Sequence, residues 1–219
     1  FQYHYHNNTQ PENLVFLEEL RALLDQYPEA TTLGEISSED SLATMGEYVN
    51  DQRLHMGYSF ELLTDDFTAA YIRGTVEDLE MKMADGWPCW AISNHDVQRA
   101  VTRWGGSSAS AGFAGQLVAL VCSLRGSVCL YQGEELGLGE AEVPYEALQD
   151  PYGKTFWPNF KGRDGCRTPM PWDAEPQAGF TTGEPWLPIP AAHRAQAVSR
   201  QEIEPTSTLN ATRAFLRWR

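Results

Sequence analysis

Three short apolar runs, each closing on acids or an imidazole, constrain this chain more than any other feature. Cys89-Trp90-Ala91-Ile92 leads into Ser93-Asn94-His95-Asp96, Thr31-Thr32-Leu33-Gly34 closes on Glu35, and the run ending at Tyr131 opens onto Gln132-Gly133-Glu134-Glu135. Continuous apolar runs separated by helical stretches predict parallel strands covered by helices, because a strand buried on both faces has no polar alternation. In a parallel β/α barrel the residues at the carboxyl ends of the strands gather on one face. Paired carboxylates on such a face are the equipment of glycosidic-bond chemistry.

The pattern along the chain supports this. Thr9-Gln10-Pro11-Glu12 reads as a capping box with Pro11 in the first turn. Leu14, Leu17, Leu20 and Leu24 then recur at helical spacing as far as Tyr27-Pro28. Strands are predicted over 31–36, 56–62, 89–93 and 127–131. Further helices are predicted from Thr75 with Asp78, over 109–124 with Gly126 as the residue just past the end, and over 208–219. The stretch 137–190 is rich in Gly, Pro and aromatics and lacks periodicity. It reads as a long loop region after the last strand, and loops of that length are usually functional.

Composition excludes several classes. A net charge of -14 and a pI near 4.7 leave nothing to neutralise phosphates, so no nucleic-acid partner is expected. Arg213, Arg217 and Arg219 cluster at the end, on what reads as a solvated helix face. The four cysteines have no CxxC spacing and no neighbouring histidine, which argues against a zinc site or a disulfide framework. They suit a reducing compartment, hence a cytoplasmic expectation; the chain opens at Phe1 without methionine, so a periplasmic location stays open. No stretch has the length and apolarity of a membrane span. No metal or cofactor is implied.

Taken singly, the candidate residues are ambiguous. Glu35 is equally a helix-capping acid or a solvated loop residue, and His95 with Asp96 is equally a structural hydrogen-bonded pair. Their position at strand ends favours chemistry, with Gly34 letting a ligand approach the backbone.

Four blocks together resemble glycoside hydrolase family 13, and within it bacterial α-glucosidases and oligo-1,6-glucosidases. They are Leu33-Gly34-Glu35-Ile36, Ser93 through Arg99, Tyr131 through Gly137, and Gly162 through Trp172. The resemblance implies that residues 1–219 form a partial (β/α)8 TIM barrel, strands five to eight with long βα loops. It implies that Glu35 ends the fifth strand as general acid/base, a role that requires a carboxyl kept protonated by burial. Asp96, ending the seventh strand, would stabilise the oxocarbenium-like transition state, and His95 would donate to a sugar hydroxyl. Arg99 and Arg163 would stand on the substrate side, with an ion pair orienting the carboxylates as their alternative role. Glu134 and Glu135 read as structural.

The implied activity is retaining hydrolysis of terminal α-linked glucose from short oligosaccharides or disaccharides. A transglycosylase or sucrose isomerase of the same family, or a non-catalytic scaffold, are the alternatives. The family's nucleophilic aspartate, on the fourth strand, has no counterpart here, so the chain reads as a fragment, inactive alone, whose missing partner is the amino-terminal half of the barrel. Four of eight strands leave a sheet with two edges and an open interior. The isolated chain is therefore expected to associate, and a sharp, concentration-independent monomer in sedimentation would contradict the half-barrel expectation.

Overall fold

The computed structural model describes residues 5–83, 86–106 and 109–219, without the side chain of Ala111. Its strands β1 (Leu33–Glu35), β2 (Met56–Tyr58), β3 (Trp87–Trp90) and β4 (Ser127–Val128) form a parallel sheet in the order β1-β2-β3-β4. Gly34 pairs with Gly57, Tyr58 with Cys89, and Trp90 with Val128. Helix α1 (Glu12–Leu24) precedes the sheet. Helices α2 (Ser41–Tyr48), α3 (Ala69–Met83), α4 (Ala100–Gly105) and α5 (Ala111–Ser123) lie between strands in sequence. Helices α6 (Pro151–Phe156), α7 (Ala191–Ala195), α8 (Val198–Ile203) and α9 (Thr208–Trp218) follow. Among the described residues no helix is long and apolar enough to cross a membrane.

The chain divides into two compact units, Phe1–Ala91 with Leu124–Cys129, and Ile92–Ser123 with Leu130–Arg219. The first holds the whole sheet and α1 to α3. Met45, Val49, Leu79, Met83 and Trp90 form its interior, each nearly inaccessible. Helix α2, absent from the sequence expectation, is capped by Asp40, whose carboxylate accepts from Ala43 N at 3.1 Å. Helix α3 begins well before Thr75, which lies buried in its middle. The true start is set by Thr68, whose hydroxyl accepts from Tyr71 N at 3.2 Å.

Two other local expectations fail. Thr9 has φ of 51° and no side chain caps α1, so the capping box does not form; backbone bonds from Asn13 and Leu14 to Gln10 and Pro11 start the helix instead. Gly126 has φ of 127° and stands beyond the end of α5 at Ser123. A Cβ there would lie 2.6 Å from the Pro88 carbonyl oxygen, so this glycine lets the chain enter β4 against β3.

The second unit packs α5 and α8 against α9 and gathers the loops. Its apolar clusters are Leu136, Leu138, Met170 and Leu209, and separately Val143, Leu148 and Leu187. Helix α9 carries the terminal arginines, and Arg213 pairs with Glu202 at 2.8 Å. Within 137–190 regular structure is confined to α6 and single 3₁₀ turns at Tyr145–Ala147 and Asp164–Cys166.

Buried side chains bond the backbone of these loops. Gln201 donates to the carbonyls of Leu136 and Gln196, both at 2.9 Å, and accepts from Leu209 N at 3.0 Å. His193 Nε2 donates to Gly139 O at 2.9 Å and Nδ1 meets the Thr168 hydroxyl at 3.2 Å. Burial holds its pKa down at about 4. Glu134 accepts from Tyr131 N at 3.0 Å, and burial pushes its carboxyl up to about 7.

These two groups oppose each other. His193 contributes stability that is present above its unfolded value of 6.5 and lost as pH falls through about 4. Glu134 contributes stability that is full below its unfolded value of 4.5 and lost as pH rises through about 7. Each effect is on the order of 3 kcal/mol. Relative to the parent chain, Glu134→Gln is expected to lose stability on acidification from pH 6.5 to 4, and His193→Gln to gain it from pH 7 to 4.5. Urea midpoints measured across that range check both signs.

Candidate active site

The candidate carboxylates are placed by different means. In the second unit, the apolar run after β3 stays buried through Asn94. The Asn94 Oδ1 accepts from Asp96 N at 2.8 Å and Val97 N at 3.2 Å, a side-chain turn that throws His95 and Asp96 outward. Ser93 closes the same loop by accepting from Ala100 N at 3.0 Å, at the start of α4.

Asp96 Oδ1 accepts from two guanidiniums, Arg163 Nη1 and Arg167 Nη2, each at 2.9 Å. Oδ2 faces His95 Nε2 at 3.6 Å, beyond hydrogen-bond length. The side chain keeps 41% of its surface exposed, so one oxygen is anchored and the other is open to a ligand. A cleft of about 420 Å³ adjoins it, lined by Asp96, Gln98, Glu140, Asn159, Phe160 and Arg163 among others.

Arg163 and Arg167 flank the 3₁₀ turn Asp164–Cys166, which brings residues four apart to the same side. Arg167 also donates from Nε to His95 O at 2.7 Å, fixing the backbone that carries the pair. Sequence reasoning missed Arg167 although it stands inside the quoted block Gly162 through Trp172; an arginine four residues after Arg163 was the available signal.

Arg99 departs from its expected place. Its side chain is 1% exposed, with Nη1 donating to Gln132 O at 2.7 Å and Nη2 to Cys166 O at 2.9 Å, over the Tyr131 ring. Enclosed in this way it braces loops and, among the described residues, presents almost no surface to solvent. Nor does it touch Asp96, so the ion pair offered as its alternative role is absent too.

Glu35 stands in the first unit, at the end of β1. Its side chain is exposed and makes no hydrogen bond or ion pair among the described residues, so these residues do not supply the burial expected of an acid/base. Beside it opens a cleft of about 390 Å³, lined by Gln10, Asn13, Ser37 and Tyr48 among others. Gly34 does not leave backbone open to a ligand: the position of its missing side chain is filled by Leu54 Cδ1. Among the described residues no cluster of histidine, cysteine, aspartate and glutamate is suited to a metal ion.

The family described as Alpha amylase, catalytic domain, matches residues 2–219. The chain belongs to the alpha-amylase family, glycoside hydrolase family 13. It is 47% identical to a probable α-glucosidase of Rhizobium meliloti (strain 1021), over the whole chain and 40% of that protein. It is 30% identical to an oligo-1,6-glucosidase of Heyndrickxia coagulans, over 93% of the chain and 43% of that protein. Among solved structures it is similar to XgtA, an alpha-glucosyl transfer enzyme, at 71% identity and a TM-score of 0.94. That match covers all of this chain and 41% of that one. The chain thus spans about two-fifths of the length of the relatives it matches.

The double clamp on Asp96 yields a test. Lysine at position 167 is a point charge and does not reproduce the fork that reaches both Asp96 and His95. In the full-length enzyme Arg167→Lys is expected to lower kcat about tenfold, with the urea midpoint little changed, as befits a partly exposed pair. Steady-state kinetics beside denaturation separate the two effects.

Proposed function

We propose that this chain supplies strands five to eight of a (β/α)8 catalytic domain that cleaves terminal α-linked glucose with retention of configuration. The observation that carries the reading is the half-committed Asp96 carboxylate, anchored through one oxygen by two guanidiniums and presenting the other beside His95. An anion so oriented is suited to hold sugar hydroxyls and to favour positive charge developing at the anomeric carbon.

In this reading a carboxylate nucleophile comes from the rest of the catalytic domain. It attacks the anomeric carbon while Glu35 gives its proton to the departing glycosidic oxygen. Glu35, now ionised, takes a proton from the incoming hydroxyl, which displaces the enzyme carboxylate and regenerates it. The second carboxyl in such a mechanism stands about 5–5.5 Å from the first. Lacking the nucleophile, the chain alone is inactive in this scheme. The substrates are short oligosaccharides or disaccharides.

A second reading differs only in the final acceptor, a sugar or other alcohol in place of water. The 71% identity to an enzyme described as an alpha-glucosyl transfer enzyme favours it. Chromatography of products formed by the full-length enzyme from maltose or sucrose decides: free glucose in excess marks hydrolysis, and transfer products in excess mark transglycosylation.

Glu35→Gln in the full-length enzyme is expected to lower kcat on maltose by about 10³-fold with KM little changed. Its first step should survive on α-glucosyl fluoride, whose leaving group needs no proton. Ordinary turnover of maltose by this variant would remove Glu35 from the acid/base role.

A further inference from the structure

Behind Arg163 lies a carboxylate with no part in the chemistry described so far. Asp150 is fully buried, and its two oxygens accept four bonds. Oδ2 takes Arg163 Nε at 2.9 Å and Arg163 N at 2.8 Å; Oδ1 takes Arg163 Nη2 at 3.0 Å and Tyr152 N at 3.1 Å. The Arg163 guanidinium is planar and rigid. Once Nε and Nη2 are fixed on Asp150, the direction of Nη1 is fixed as well, and Nη1 is the atom that meets Asp96 Oδ1 at 2.9 Å.

The surroundings tighten this arrangement. Asp150 caps α6, and the Tyr152 ring from that helix lies 5.3 Å from the guanidinium carbon. The Asp150 backbone is held in turn, its N donating to the buried Asp164 Oδ2 at 2.8 Å. At Gly162, whose φ is 81°, a Cβ would fall 2.8 Å from Gly153 Cα and 3.0 Å from Asp150 Oδ2, so the two segments approach as closely as their backbones permit.

We propose that Asp150 is a positioning residue for the transition-state stabiliser Asp96, acting through Arg163. The proposal rests on the role given to Asp96 above. An anion buried behind the arginine removes the freedom by which a long exposed side chain would otherwise wander from its target, so its effect falls on the geometry of the reacting state more than on substrate affinity. Asp150 is the buried member of the pair, so its substitution also touches the fold, and stability and kinetics must be read apart.

The test is a double-mutant cycle in the full-length enzyme, assayed on maltose, whose leaving group needs a proton, with Glu35→Gln alongside. Asp150→Asn, shown folded by circular dichroism, is expected to lower kcat by on the order of 10²-fold with KM within about threefold of wild type. Placed on Arg163→Met, the same substitution is expected to lower kcat no further. Unchanged kcat in folded Asp150→Asn, or an equal loss in both backgrounds, would overturn the proposal. Should the asparagine variant not fold, Asp150→Glu keeps the charge and displaces the guanidinium by one methylene. Its kcat should fall if position matters, and wild-type kcat would overturn the relay. The two readings fail differently: a wild type without α-glucosidase activity, or an active Glu35→Gln, removes the catalytic assignment itself. An inactive Glu35→Gln beside a normal Asp150→Asn removes only the relay.

Discussion

The Arg99 guanidinium, almost without solvent, donates to the carbonyls of Gln132 and Cys166, while its own backbone N donates to Glu140 Oε2 at 2.9 Å. It thereby joins three segments of the second unit that are remote in sequence: the loop after Asn94, the Tyr131–Glu140 stretch and the turn at Asp164–Cys166. Neutral carbonyls satisfy it, and Nε is left without a partner. Enclosing a charge on such terms is unfavourable unless the geometry is held, and the nearby Glu134 and Glu140 carboxylates offset part of that cost. Asp96 and Arg167 are both displayed from segments that this side chain ties together, so the outer clamp depends on the inner brace.

Much of the architecture was legible because parallel strands advertise themselves. The cores of all four predicted strands are present, and each ends earlier than predicted, while β1 starts later, at Leu33, and β3 earlier, at Trp87. The helices were read less well, for local reasons. Thr75 looked like a start because threonine followed by an acid three residues on is a capping pattern. Tertiary contacts bury it, and the cap falls to Thr68. Helix α2 is only eight residues long, holds Gly46 and Thr44 inside it, and escaped notice. Thr9 satisfied the capping pattern in letters but took a left-handed backbone, which no pattern reveals.

The site was legible in identity and less so in role. His95, Asp96 and Arg163 stand together. Arg99, expected on the substrate side, turns inward, whereas Arg167, for which the sequence raised no expectation, reaches Asp96 from a distant loop. Spacing along a chain says which residues share an element, but whether an arginine meets solvent or carbonyls depends on loops that close over it. Glu35 stands on an edge strand with little cover from the described residues, so the burial that the proposed acid/base role demands is not a property of its own strand.

The cleft beside Asp96 has two walls of different character. Its rear, at Arg163, is set by buried carboxylates and glycine-tight backbone. Its front, at Asn159, Phe160 and Lys161, is carried by irregular chain, with Phe160 exposed and Lys161 in a surface ion pair with Glu142. Such pairs contribute little stability. Side chains there can change without disturbing the orientation of the carboxylate behind them. What the cleft admits can thus be altered at a single loop while the setting of the carboxylate stays fixed.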